Sequence, residues 1–164
     1  MKNIILFDMD GTLTPPRKKI DRDVVEALQE KSKDFDIGIV TGSDFDYVIQ
    51  QCGDLLTPSG IDPSKLHIFP CNGTKAYHWK YTKYELTHNV DMIEKIGESS
   101  YRRILREAFD LQSEIMLFYT DIPLTGTFFQ YRGTLLNWCP IGRIANHEQR
   151  ESWKKLDKDF GIRI

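Results

Sequence analysis

The sequence predicts a parallel α/β core followed by a smaller α+β module. Over residues 3–70, apolar runs and helical patterns follow one another as strand, helix, strand, helix, strand. Right-handed crossovers build that order into a parallel sheet. The runs are continuous rather than alternating, which suits strands covered on both faces. Near Tyr81 the pattern changes to a long helical stretch, a hairpin and a final helix. A length of 164 residues fits one domain, or a small domain with an insertion. A boundary near residues 80–86 divides the chain into 1–82 and 83–164.

The elements follow in order. Asn3–Met9 is the first strand, and Pro15-Pro16 hold the segment after it extended. Asp21 is placed to cap a helix over Arg22–Lys33, with Val24, Val25, Leu28 and the stem of Lys31 facing inward. Asp36–Val40 is a second strand, broken by Thr41-Gly42-Ser43. Asp44–Gln51 returns as a helix that Gly53 closes. Beyond a loop over Leu56–Ser64 come a third strand, Leu66–Pro70, and the hairpin signal Asn72-Gly73. Ala76–Trp79 and Tyr84–Thr87 are the strands expected past it. Asp91 to about Leu111 reads as helix, weakened by Gly97. Gly126–Arg132 and Thr134–Trp138 form a hairpin turning at Gly133. Asn146 and Gln149 make a capping box for a helix to about Phe160.

Composition excludes several functions. The chain is 40% hydrophobic and 28% charged with a net charge of -2, as a globular domain is. There is no basic excess to hold a phosphate backbone, so nucleic acid is not expected as a partner. Neither GxGxxG nor a Walker lysine motif is present. Cys52, Cys71 and Cys139 are scattered without a CxxC pair, against a disulfide framework or thiolate zinc site and in keeping with a cytoplasmic setting. The apolar run at Ile4–Phe7 is too short for a signal peptide, and no segment approaches a membrane span.

In a parallel sheet, chemistry sits beyond the carboxyl ends of the strands. Asp8 and Asp10 stand where the first strand ends; Thr41, Gly42 and Ser43 stand where the second does. Alone, a DxD reads equally well as a strand-ending turn with solvated carboxylates, and TGS as a turn with an N-cap. Together they suit a phosphoryl group. An ionised aspartate attacks phosphorus without an activating base. A second carboxyl two residues on protonates the leaving oxygen and activates the incoming one. Gly11 frees the backbone to bring amides toward a phosphate, and Thr41 or Ser43 donates to a phosphate oxygen. Two anions meeting calls for a cation, and magnesium fits few carboxylates.

The run FDMDGTLT (Phe7–Thr14) resembles the first motif of the haloacid-dehalogenase-like superfamily. The resemblance extends to the eukaryotic phosphomannomutase family. DGTLTPPRKKI, IGIVTGSDFDYV, FPCNG, GTFFQYRGTLLNWCPIGR and EQRESWKKLDKDFGIR are all similar to it and span nearly the whole chain in order. It implies a Rossmann-like core of the haloacid-dehalogenase type with an α+β cap domain. It further implies interconversion of mannose 6-phosphate and mannose 1-phosphate through an aspartyl-phosphate. Asp8 is then the nucleophile and Asp10 the acid/base, and the carboxylate of Asp8 with the main-chain carbonyl of Asp10 binds Mg2+. Arg132 and Arg143 match the cap arginines that clamp the distal phosphate of a hexose phosphate, and Asn137 falls in the same stretch. A homodimer through the cap domains is also implied. Either arginine taken alone reads as a surface ion-pair partner.

The chain departs from the family at several positions. Thr125 stands where an arginine usually precedes the GTF segment. Thr41-Gly42-Ser43-Asp44 replaces GGSD, Tyr47 replaces a lysine, and Cys71 replaces a glutamate. The arginine lost at Thr125 makes a magnesium-dependent sugar-phosphate phosphatase of the same superfamily the alternative activity, and the expected lack of the family's C-terminal motifs makes a truncated non-catalytic relative the other. On this resemblance the family continues past the GIR segment into a part, expected to be lacking here, that carries a catalytic lysine and further acidic residues. Lys154, Lys155 and Lys158 read as the solvated face of a helix.

Overall fold

The computed structural model describes residues 3–15, 17–57 and 60–162. Its contacts divide the chain into two compact units, Met1–Val90 and Asp91–Ile164. The division falls later than residue 82 because the strand after the change in pattern, Lys83–Asn89, pairs with the strand before it.

The first unit is built on a five-stranded sheet in the order β1 (Ile4–Asp8), β2 (Asp36–Val40), β3 (Leu66–Phe69), β4 (Lys75–Lys80) and β5 (Lys83–Asn89). Only β1, β2 and β3 are mutually parallel. The left-handed turn Asn72-Gly73 reverses the chain, so β4 and β5 add as antiparallel strands and the sheet is mixed. Helices α1 (Arg22–Lys31) and α2 (Phe45–Cys52) make the two crossovers.

Alternate residues of β2 and β3 (Ile37, Ile39, Leu66, Ile68) form one core with Val25 and Leu28 of α1 and Val48 and Cys52 of α2. Both helices therefore cover the same face, as successive right-handed crossovers in one direction require. Among the described residues, then, helices cover one of the two faces expected to be covered. On the opposite face Ile4, Leu6 and Phe69 lie over Gly38, where a Cβ would require the end of the Leu6 side chain to move aside. Leu6 there keeps 56% of its surface exposed.

Local differences have local causes. Helix α1 stops at Lys31, which is exposed, while Ser32 turns inward and donates its hydroxyl to the Gln29 carbonyl. Gly53 is the C-cap of α2 as expected, but its backbone stays right-handed, and a 3-10 turn over Gly53–Leu56 carries Leu55 into the core. Pro16 of the expected extended loop lies outside the described residues.

The second unit has its own core of Ile115, Ile122, Ile141, Ala145 and Trp153. Gly97, at a φ of 81°, separates α3 (Met92–Ile96) from α4 (Glu98–Phe118) where one helix was expected. The hairpin β6 (Phe129–Tyr131) and β7 (Leu136–Trp138) turns at Gly133. It is shorter than its sequence suggests because Gly126 and Thr127 both take positive φ. The capping box at Asn146 and Gln149 opens α5 (His147–Phe160), and left-handed Gly161 ends it. No helix among the described residues is long and apolar enough to cross a membrane.

Gly142 locks the loop before α5. Its φ is +86°, and a Cβ there would lie 2.3 Å from the carbonyl oxygen of Gly126. Gly142→Ala is expected to destabilise the second unit by about 2–4 kcal/mol, from left-handed strain plus overpacking. Urea denaturation followed by tryptophan fluorescence checks this, because Trp138 and Trp153 both belong to that core.

Candidate active site

The aspartate pair owes its exposure to the residue between its members. Met9 is fully buried in the core, and Asp8 and Asp10 on either side of it are exposed. Alternate residues leaving a strand share a side, so sinking Met9 turns both carboxylates outward. The chain then wraps around the Met9 carbonyl, which accepts the amides of Thr12, Leu13 and Thr14 at 3.0–3.3 Å. Gly11, at a φ of 86°, makes that wrap feasible. Thr14 fastens the far side: its buried hydroxyl lies 3.1 Å from Oε1 of Gln51 in α2.

Parallel pairing sets Asp8 opposite Val40, so the end of β1 lies beside Thr41-Gly42-Ser43. The two hydroxyl residues differ. Thr41 is 3% exposed and accepts the Ser43 amide on Oγ1 at 3.1 Å, organising the turn. Ser43 is half-buried and better placed to meet a ligand. A second loop, at the Asn72-Gly73 hairpin signal, holds this one. The Asn72 amide donates to the Thr41 carbonyl at 2.8 Å, and the Cys71 amide donates to that of Ser43 at 2.9 Å. Asp44 stands at the N-cap of α2 without a side-chain capping bond. Its carboxylate instead accepts from the Cys71 thiol at 3.1 Å and pairs with Lys75 at 3.7 Å. The Asn-Gly signal marked this turn but not what it touches.

In the second unit, Phe129, Tyr131 and Trp138 anchor one face of the hairpin: Phe129 packs on Phe109 and Trp138, and Tyr131 on Tyr101. Gln130 and Asn137 form a cross-strand pair on the other face. Arg132 follows β6 directly, and its amide donates to the Leu135 carbonyl to close the turn. Arg143, in the loop after Pro140, donates from Nη1 to Oδ1 of Asn137 at 2.9 Å. Arg150 was not foreseen. From α5 it donates to the carbonyls of Arg143 and Ala145 at 2.6 and 2.8 Å, fixing the backbone that carries Arg143. Thr125 donates to the Ile141 carbonyl at 2.9 Å. Its side chain therefore bonds to this loop at the position where the family usually has an arginine.

Among the described residues no group of three or more His, Cys, Asp or Glu side chains could hold a metal ion. The carboxylates at the end of β1 are those of the exposed Asp8 and Asp10. So few hard oxygen donors suit a divalent cation that keeps most of its waters. Behind them, burial and then the charge of Asp10 push the Cys52 thiol up to about 12.

A parallel β-α-β-α-β core with DxDGT closing its first strand and TGS its second defines a haloacid-dehalogenase-like protein. The family model described as eukaryotic phosphomannomutase matches residues 24–164, and the chain belongs to that family. It is similar to a phosphomannomutase of Dendrobium officinale, at 34% identity over 161 residues covering 98% of this chain and 58% of that protein. It is similar also to phosphomannomutase 1 of Homo sapiens, at 33% identity over 161 residues, 98% of this chain and 57% of that one. The chain thus spans under two thirds of the length of the curated relatives it matches. Among solved structures, an IMP-nucleotidase of Plasmodium falciparum shares the fold with a TM-score of 0.59 at 11% identity, covering 97% of this chain and 43% of that one.

Arg150→Met should leave two carbonyls without their charged donor and cost about 1–3 kcal/mol, read as a lower denaturation midpoint. Cys52 should stay silent to a thiol reagent at pH 8 until the protein unfolds. In alkali the unfolded chain loses the Cys52 proton from about 9.0 upward while the folded chain keeps it until about 12. Stability should therefore fall as pH rises through that window, and should fall less in Cys52→Ala.

Proposed function

We propose that this protein is a phosphoryl-transfer enzyme of the phosphomannomutase type, interconverting mannose 6-phosphate and mannose 1-phosphate. One observation carries the reading. Two outward carboxylates at the end of β1 lie beside the hydroxyl-bearing turn at the end of the adjacent parallel strand. Membership of the phosphomannomutase family supports the choice of sugar.

In this mechanism a carboxylate oxygen of Asp8 bonds to phosphorus as the bond to the leaving oxygen breaks. Asp10 enters as the carboxylic acid and gives its proton to that oxygen. In the return step the Asp10 carboxylate takes the proton of the attacking hydroxyl, and Asp8 is released as carboxylate. Isomer exchange starts with the phosphoryl group already on Asp8, taken from a hexose bisphosphate. Passed to the free hydroxyl of a hexose monophosphate, it forms a bisphosphate, which turns over and returns its other phosphoryl group to Asp8, leaving the isomer. Gly11, Gly42 and Ser43 present amide and hydroxyl donors to the transferring group, with Thr41 shaping the turn. Arg132 and Arg143 grip the phosphate that does not react, and Asn137 keeps Arg143 in place. Asp8 and Asp10 would hold Mg2+, which supplies positive charge where anionic oxygens meet. The same reading carries a homodimer formed through the second unit and a cytoplasmic location, the latter supported by three free cysteines.

The engagement of Thr125 with the Ile141 carbonyl favours one alternative, a magnesium-dependent sugar-phosphate phosphatase. A mutase must hold its substrate in two orientations, and an arginine lost from the distal grip weakens that hold. Supplied with mannose 1-phosphate, a hexose bisphosphate and magnesium, the protein should form mannose 6-phosphate, and Asp8→Asn should abolish turnover. Phosphate release without isomer exchange identifies the phosphatase. No turnover of either kind, and none of an aryl phosphate, leaves a binding protein.

A further inference from the structure

The polar face of the β6–β7 hairpin holds a group that the proposed chemistry does not use. Gln130 lies directly across from Asn137. It precedes Arg132 by two positions, so the two residues share a side of the strand about 7 Å apart. Oε1 of Gln130 is buried, and among the described residues no donor reaches it. Asn137 does not satisfy it, although the two are cross-strand partners; the Asn137 carbonyl is itself occupied by Arg143. The opposite face of β6 is fixed by the packing of Phe129 on Phe109 and Trp138, which holds the hairpin in this orientation.

A buried acceptor without a donor is costly, and a folded protein keeps one where something outside the chain supplies the proton. The missing partner has a definite chemistry. It must donate, which a phosphate dianion does not do and a sugar hydroxyl does. We propose that Gln130 is a specificity residue: its amide oxygen accepts from a ring hydroxyl of a hexose phosphate whose phosphate is held at Arg132. The assignment rests on the hexose-phosphate reading above. Gln130 then separates a sugar phosphate from bare phosphate, a distinction that arginines alone do not make.

The test titrates the wild-type chain, Gln130→Leu and Gln130→Glu with mannose 1-phosphate and with inorganic phosphate by calorimetry. The readout is the ratio of the two affinities, in which a uniform change of charge cancels. Leucine should lower the ratio about five- to tenfold, the worth of one neutral hydrogen bond. Glutamate, which keeps an acceptor, should preserve it. Without ligand the leucine variant should melt at or above the wild-type temperature, because a buried unsatisfied group has been removed. A leucine variant with the wild-type ratio overturns the proposal and leaves the hexose-phosphate reading standing. A leucine variant that melts several degrees lower without ligand overturns it too, since the amide then has a structural partner. A wild-type chain that binds neither ligand removes the hexose-phosphate reading, and the specificity role falls with it.

Discussion

The parallel register of β1 on β2 is the constraint on which the rest of the first unit depends. Pairing Asp8 with Val40 brings the aspartates and the hydroxyl turn to adjacent strand ends. A slip of one residue would bury the carboxylates and expose Met9, because successive strand residues face opposite ways. Three elements hold the register in place: the core of Ile37 and Ile39 beneath it, the Thr14–Gln51 contact at its end, and the bonds from the 71–72 turn to the TGS loop. The site is a consequence of packing before it is a matter of chemistry.

The second unit reaches a comparable result by other means. Its polar residues stand on and beside a hairpin of two three-residue strands, too short to be rigid by itself. Rigidity comes from aromatic packing on α4 and from Arg150, whose guanidinium spans two carbonyls of the Arg143 loop. The guanidinium of Arg150 thus sets the backbone position of Arg143, which is proposed to meet a phosphate. The close approach of Gly142 to the backbone of Gly126, with the Thr125 hydroxyl beside it, completes that support.

Much of this was legible in the sequence. The bounds of β2, the capping box at Asn146 and the turn at Gly133 depend on neighbours in the chain, and local patterns record them well. The outward pair Asp8 and Asp10 was legible for the same reason. Other features depend on contacts between distant segments, which no local pattern carries. The pairing of Lys75 and Cys71 with Asp44, the reach of Arg150 and the isolation of Gln130 are of this kind. Which face carries these helices was not legible for a subtler reason. A continuous apolar run announces a strand fit to be covered twice, but crossover direction decides which face receives the helices.

Met9 carries a further consequence. A thioether in the core is shielded from peroxide while the first strand holds its place, and it becomes reactive when the motif opens. Conversion to the sulfoxide would put a polar group where the core admits none, and the wrap around the Met9 carbonyl could not close again. The residue that presents both carboxylates is therefore also a built-in recorder of local opening. A peptide-level count of its sulfoxide over time would give the frequency of that opening, with no substrate present.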